Sequence, residues 1–152
     1  MIYLQWIWAL PITVWGFLIT LPFLALGQLR VVRLNDLVLE MVSVEGRWYE
    51  RTWMKKWAGF CTGAVIVYRH DYVGSERTEK HERQHAKQCY WFGIFQPIAY
   101  FSHCLFIWFF QKNKHAYLDN WFERDARRAA GQPVDIPPEQ WFEGPDDRWP
   151  WW

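Results

Sequence analysis

His81-Glu82-Arg83-Gln84-His85 is an HExxH pentapeptide, and the rest of this sequence is best interpreted from it. In a helix, residues four apart lie on one face with their Cβ atoms about 5–6 Å apart, so His81 and His85 can bind one metal ion. Glu82 would then lie beside that ion, where its carboxylate can take a proton from a bound water. The alternative is a solvated, charged helix that carries two histidines by chance.

The residues around the pentapeptide favour a helix. Residues 78–92 contain neither proline nor glycine, and Gly93 follows them as a typical helix stop. Ser75 or Thr78 can serve as the N-cap. The two histidines are therefore predicted to share one helical face.

A third metal ligand must come from elsewhere in the chain, and Glu123 is the best candidate. Asp119 or Asn120 can cap a second helix, which is predicted to end at Gly131. Glu123 falls in the first turns of that helix, where its alternative role is an ordinary surface ion pair with Arg127. The spacing alone leaves both roles open.

These motifs resemble those of a family of small bacterial membrane-anchored HExxH proteins. The similarity lies between the Leu10-Pro11 region and Gly131, with Pro97 and Tyr100 in its aromatic-rich middle. It is densest in two patterns, HExxHxxQ at residues 81–88 and Tyr117-x-x-Asn120-x-Phe122-Glu123-Arg124-x-Ala126. Proteins of this family join an N-terminal membrane helix to a reduced gluzincin-like metallopeptidase site.

The resemblance implies a role for each motif residue. The ligands of a Zn²⁺ ion would be His81, His85 and Glu123, and Glu82 would be the general base. One position departs from the family pattern, because Trp121 stands where the family usually has proline. This departure concerns the start of the second helix.

The composition limits the class of protein. The chain has 152 residues, enough for one domain, and its 17 Lys and Arg against 16 Asp and Glu argue against nucleic acid as a partner. Its 13 tryptophans indicate contact with a bilayer interface, where indole rings concentrate. Cys61, Cys89 and Cys104 have no CxxC spacing and are predicted to be free thiols. Cys89 is expected to pack in the core rather than to act as a fourth ligand.

Residues 1–29 are predicted to form a membrane anchor. They carry no charged side chain, and the apolar run 2–26 is long enough to cross a hydrocarbon layer about 30 Å thick. A signal peptide is the minor alternative, because the run is longer than the usual ~7–15 apolar residues. Arg30 and Arg33 follow the run, so the positive-inside rule places the remainder of the chain in the cytoplasm.

Two segments before the pentapeptide are predicted to be strands. Residues 37–45 alternate in part and lead to Gly46, and residues 62–69 are apolar and β-branched. Segment 62–69 is a candidate to hold an extended peptide at its edge beside the metal. Pairing with residues 37–44 within the sheet is an alternative that is compatible with this role.

Residues 89–110 form a second long apolar stretch, whose length would also fit a membrane span. If this stretch crossed a membrane, the two motif histidines and Glu123 would lie on opposite sides and could not share an ion. The metal hypothesis therefore requires a buried or membrane-apposed helix, with a bend predicted at Pro97. Within it, His103 is expected to be a hydrogen-bonded core residue rather than a ligand.

The predicted fold is α+β: a helix-dominated zincin-like domain over residues 30–131, an N-terminal transmembrane helix, and an extended tail rich in proline and tryptophan. The tail covers residues 132–152 and can engage a protein partner.

The predicted function is a membrane-anchored zinc peptidase that acts on a peptide or protein substrate beside membrane lipid. Glu82 is its catalytic base, and Tyr100 and Tyr117 are candidates to stabilise the oxyanion. The alternative is a structural or interaction membrane protein with a structural or vestigial metal site. A structural site would be closed by a fourth protein ligand.

Overall fold

A four-stranded mixed sheet forms the centre of the domain. In the computed structural model, which describes residues 2–138, the strand order is β1-β2-β4-β3. The strand bounds are β1 (Leu29–Asn35), β2 (Val38–Ser43), β3 (Gly59–Thr62) and β4 (Val65–Tyr68). Strands β1 and β2 are antiparallel, β2 and β4 are parallel, and β3 and β4 are antiparallel.

Helices surround this sheet in the described chain. Their bounds are α1 (Ile2–Ala25), α2 (Trp48–Thr52), α3 (Glu76–Phe92), α4 (Phe95–Phe110) and α5 (Trp121–Ala129), with a 3-10 helix at His70–Tyr72. The predicted α+β class and the apolar N-terminal helix are confirmed. Ser75 caps α3 and Asn120 caps α5, as the sequence indicated. Residues 139–152 of the predicted tail lie outside the described residues.

The segment predicted as one strand, residues 62–69, is a hairpin turn followed by β4. The chain turns at Gly63 with a φ of +63°, where an added Cβ would lie 2.5 Å from Thr13 Oγ1. Strand β4 pairs with a strand on each side, and all four of its residues are buried. Its continuous apolar sequence suits such an interior position. The prediction that this segment offers a free edge is therefore wrong, and β3 is the edge strand on this side of the sheet.

The two faces of β4 contact different helices. Val65 and Val67 lie in a core cluster that packs against Phe17 and Phe23 of α1. Ile66 and Tyr68 face the opposite side, where they form a cluster with Ala86 of α3. The sheet therefore separates α1 from the helix that carries the HExxH motif over this part of the domain.

Residues 89–110 are broken into two helices, and the break is not where the sequence predicted it. Helices α3 and α4 form an angle of 109° at the short connection around Gly93. Gly93 has a φ of +57°, a conformation that favours glycine. Pro97 lies in the first turn of α4, where its missing N–H would have no partner within the helix. The bend predicted at Pro97 is therefore at Gly93.

Helix α1 is long and apolar enough to cross a membrane. One face of it packs against the domain and carries mostly small or hydroxyl side chains, with Thr13 Oγ1 accepting a hydrogen bond from Ala64 N at 3.0 Å. At Gly16, an added Cβ would lie 2.6 Å from the Thr62 carbonyl oxygen. The opposite face is exposed and apolar over the length of the helix; its members include Leu4, Ile7, Trp8, Val14, Trp15, Leu18 and Leu21.

Replacing Gly16 by leucine should destabilise the purified protein in detergent by about 1–3 kcal/mol, because overpacking against a backbone atom forces a shift of the chain. Val14→Leu is the matched control, since Val14 lies on the exposed face of the same helix. Thermal unfolding followed by circular dichroism measures both. Equal melting temperatures for the two variants would contradict the described packing of α1.

Candidate metal centre

Two helices bring three potential ligands together. His81 and His85 lie one turn apart on α3, with their Nε2 atoms 3.2 Å from each other. Glu123, in the first turn of α5, places Oε2 3.3 Å from His81 Nε2 and Oε1 3.3 Å from His85 Nε2. Ligand atoms at ~2.0–2.1 Å from a tetrahedral ion would themselves be separated by about 3.3 Å. The predicted set of ligands therefore forms a group that can hold a metal ion.

The burial of Glu123 supports the presence of a cation at this group. Its side chain is 4% exposed, and Oε2 accepts no hydrogen bond within the described residues. A buried carboxylate oxygen without a hydrogen-bond donor is costly. A metal ion bound between the carboxylate and the imidazoles would remove that cost.

Glutamine side chains orient both imidazoles. His81 Nδ1 lies 2.9 Å from Gln132 Oε1, and His85 Nδ1 lies 2.9 Å from Gln88 Oε1. Because an amide oxygen only accepts, each Nδ1 carries a proton, so in the neutral imidazole the lone pair is on Nε2, which faces the group. This is the tautomer that a metal ligand requires.

The orientation of Gln88 is itself determined by two acceptors. Its Nε2 donates hydrogen bonds to the Phe122 carbonyl oxygen and to Asp125 Oδ2, both at 2.9 Å. Its amide oxygen must therefore face His85. Gln88 thus connects the second histidine to the backbone and to a side chain of the helix that carries Glu123.

Helix α4 positions the start of α5. His103 Nδ1 accepts a hydrogen bond from Trp121 N at 3.0 Å, and Asn120 Oδ1 accepts one from Phe122 N at 2.9 Å. Trp121 is the first residue of α5, and a proline at this position could not donate to His103. The structure places His103 outside the ligand group and shows its hydrogen bond, but the side chain is half-buried rather than in the core.

Two tyrosines contact the carboxylate ligand. The Tyr100 hydroxyl donates a hydrogen bond to Glu123 Oε1 at 2.8 Å. Tyr117 is half-buried next to Glu123, and desolvation together with the charge of Glu123 raises the pKa of Tyr117 well above the usual range. Tyr100 and Tyr117 were candidates to stabilise an oxyanion, but the structure places both beside the ligand. Their contacts hold the Glu123 carboxylate in its orientation.

Glu82 lies between the metal group and the edge of the sheet. It is buried, and an added Cβ at Gly59 of β3 would lie 2.6 Å from its Oε1, so only glycine leaves room for this carboxylate. Burial raises the pKa of Glu82 above its usual range, although the charges of His81 and His85 act in the opposite direction. A raised pKa makes this carboxylate a better proton acceptor.

The electrostatics of the metal-free group depend on one ion pair. Burial disfavours the charged imidazole, but the Glu123 carboxylate outweighs this and raises the pKa of His85 to about 9. Burial also opposes ionisation of Glu123, yet the charge of the nearby His85 outweighs this and holds the pKa of Glu123 well below its usual range. A proton on His85 therefore occupies the place that a cation would take.

Cys89 does not belong to this group. It is 1% exposed and packs with Ala9 and Ile12 of α1, which confirms its predicted core position. In the described chain, the group of ligand atoms within 4.8 Å of one another consists of His81, His85 and Glu123.

The sequence reasoning missed the residues that orient the ligands. Gln88 was part of the HExxHxxQ pattern, but its role was not identified. Gln132 was assigned to the tail; in the structure its backbone N–H bonds Arg127 O at 2.9 Å and its side chain reaches His81. Of the two, only Gln88 could have been found from the sequence, because a residue three positions after a histidine lies on the same face of a helix.

Comparisons with family models, curated proteins and solved structures find no match for this chain. The resemblance to membrane-anchored HExxH proteins therefore depends on the motif residues alone. Support for a metal site comes instead from the arrangement of His81, His85 and Glu123 in the structure.

Gln88→Ala should weaken metal binding by about 10–100-fold, because the imidazole of His85 loses the acceptor that orients it. Gln84→Ala is the matched control. Gln84 Nε2 donates to Asp125 Oδ2 at 2.7 Å, but in the described chain it bonds neither histidine. Metal affinity measured by competition with a chelating dye should change only for Gln88→Ala. An equal loss of metal affinity in both variants would show that the loss comes from the broken contact with Asp125 and not from the orientation of His85.

Binding of Zn²⁺ at pH 7.5 should release between about one and two protons per ion, because His85 must lose its proton to become a ligand and a zinc-bound water with a pKa of about 7 is largely ionised at this pH. Protons are released rather than taken up because the pKa of His85 is about 9, so the metal-free imidazole is protonated at this pH. Calorimetric titrations in buffers of different ionisation enthalpy measure the protons. His70→Ala should release them as the wild type does, since His70 pairs with Glu50 instead. Binding heats that are independent of the buffer would contradict the prediction.

Proposed function

We propose that this protein is a membrane-anchored zinc-dependent peptidase. The observation that carries the proposal is that the two HExxH imidazoles and Glu123 converge, with ligand atoms separated as they would be around a tetrahedral ion. Glu82 is buried beside them. Three protein ligands and an open fourth position are typical of catalytic zinc sites. A helical HExxH motif with an adjacent carboxylate base is the usual arrangement in metallopeptidases.

The donor set supports zinc as the metal. Two imidazole nitrogens and one carboxylate oxygen in a tetrahedral arrangement suit Zn²⁺, whereas Mg²⁺ and Ca²⁺ prefer more numerous oxygen ligands. The spacings of 3.2 Å and 3.3 Å between ligand atoms fit its short bonds. When bound, Zn²⁺ lowers the pKa of a coordinated water to about 7 and polarises a carbonyl group.

Glu82 is proposed as the proton carrier of the reaction. Its carboxylate takes a proton from the attacking water and then gives that proton to the leaving amine of the peptide. The burial of Glu82 against Gly59 limits the positions that its carboxylate can adopt.

Strand β3 is proposed to bind the substrate. It is the last strand of the sheet, and no strand in residues 2–138 pairs with its outer edge. An extended peptide can add to such an edge by backbone hydrogen bonds. Gly59 at the start of β3 contacts Glu82, so a peptide on this edge would pass close to the proton carrier.

The membrane part of the proposal concerns α1. We propose that this helix anchors the protein in the bilayer, with the metal centre on the cytoplasmic side. Support comes from its length and apolar character, and from Arg30 and Arg33, which follow it. Basic residues next to a membrane helix stay on the cytoplasmic side.

Glu82→Gln should abolish peptide hydrolysis while keeping the metal. The loss should be at least about 10²–10⁴-fold, which is the usual contribution of general acid–base catalysis. Purified protein in liposomes is assayed against a peptide library, and bound zinc is measured by elemental analysis. Retained zinc is expected because Glu82 is not a ligand.

Glu123→Gln is the matched control, since it makes the same chemical change at a ligand. It should lose both zinc and hydrolysis. A wild-type protein that binds zinc but shows no hydrolysis, together with full biological activity of Glu82→Gln, would overturn the peptidase proposal. The metal would then serve to hold α3 and α5 together.

A further inference from the structure

Helix α4 has two faces of different character. One face carries Tyr100 and His103, which bond Glu123 and Trp121 of the metal centre. The other face carries an apolar row that we call the α4 stripe. Its residues Ile98, Phe101, Leu105 and Phe109 are 59%, 64%, 52% and 60% exposed. Large exposed apolar surfaces of this kind mark a contact with a membrane or a protein.

The α4 stripe is continuous with the exposed face of α1. The rings of Trp8 and Phe95, at the start of α4, are 6.1 Å apart. An added Cβ at Gly93 would lie 2.5 Å from Trp8 Nε1, so the connection between α3 and α4 packs directly on α1. Trp8 lies near the beginning of α1, far along the helix from Arg30. A bilayer around α1 would therefore also surround the start of α4.

The metal centre determines where the chain must go after the bend at Gly93. His85 precedes the bend at Gly93, and Glu123 follows α4, yet their ligand atoms are 3.3 Å apart. Both ends of the α3–α4 pair must therefore lie on the same side of a membrane. A single broken span, which the angle of 109° would also allow, is incompatible with this contact.

The distribution of charge agrees with a path that enters and returns. Residues 89–110 contain no Asp, Glu, Lys or Arg. Charged residues occur along α3 as far as Lys87 and again after α4, where Lys112 and Lys114 follow its last turn. Lysines at the end of an apolar segment place their ammonium groups at the interface.

We propose that the C-terminal end of α3 and all of α4 form a re-entrant membrane element, whose α4 stripe contacts the hydrocarbon of a phospholipid bilayer beside α1. A bilayer is the occupant because the stripe is continuous with a helix that can span one and carries no charge. The opposite face of α4 contacts the rest of the protein through Tyr100 and His103. The metal centre is thereby held at the membrane surface. The proposal requires α1 to lie in the bilayer and is independent of the peptidase chemistry.

Site-directed spin labelling of the full chain in phosphatidylcholine–phosphatidylglycerol vesicles tests the proposal. Single cysteines are introduced at Phe101 or Leu105 in a protein whose native cysteines are replaced by alanine or serine. Leu18 on the exposed face of α1 is the lipid reference, and Leu34, 73% exposed on β1, is the water reference. Collisions with oxygen and with a water-soluble nickel chelate report the surroundings of each label. Circular dichroism confirms the fold of each labelled protein.

Labels at Phe101 and Leu105 should match Leu18, with high oxygen access and loss of nickel access. Nickel access equal to that at Leu34 would place the α4 stripe in water and overturn the proposal. Exclusion of both reagents, with dipolar broadening between labels, would show a second copy of the chain on the stripe and would also overturn it. Because no metal or activity is measured, the result is separate from the test of the peptidase proposal.

Discussion

The contact of Glu123 with His81 and His85 is the interaction on which the arrangement of the helices depends. A carboxylate that is 4% exposed needs a positive partner, and its distances of 3.3 Å to both imidazoles allow either a proton or a metal ion to fill that role. To make this contact, α3 must carry both histidines on one face, and α5 must begin at Asn120. The bend at Gly93 is equally necessary, because it lets α4 return the chain to the histidines.

The sheet contributes to the same centre through its edge. Strand β3 is last in the order, and its first residue, Gly59, leaves the space that the Glu82 carboxylate occupies. The ion pair between buried Glu40 in β2 and half-buried Arg83 in α3 connects the helix to another strand of the sheet. Glu82 and Arg83 are consecutive, so neither can move far without moving the other. The proposed base is thus held by contacts on two strands.

Aromatic residues make up 20% of the chain, and many of those in the described part lie at the surface. Trp15 on α1 and Trp91 at the end of α3 are 60% and 77% exposed. A domain in water would bury such rings, whereas a bilayer provides them with an apolar environment and an interface for the indole N–H. The helices that bring the metal ligands together therefore also present the surface that we propose to contact lipid.

The sequence by itself determined the local features: the helix around His81 and His85, its N-cap at Ser75 or Thr78, the capped helix of Glu123, and the apolar α1. Periodicity, capping and helix stops are local signals, and they are present in the residues themselves. Only the tertiary structure decided that residues 62–69 form a turn and an interior strand, that the bend lies at Gly93, and that Gln88 and Gln132 orient the histidines. These outcomes depend on contacts between residues distant in sequence, such as Gly63 against Thr13 and Gly93 against Trp8, which no local pattern records.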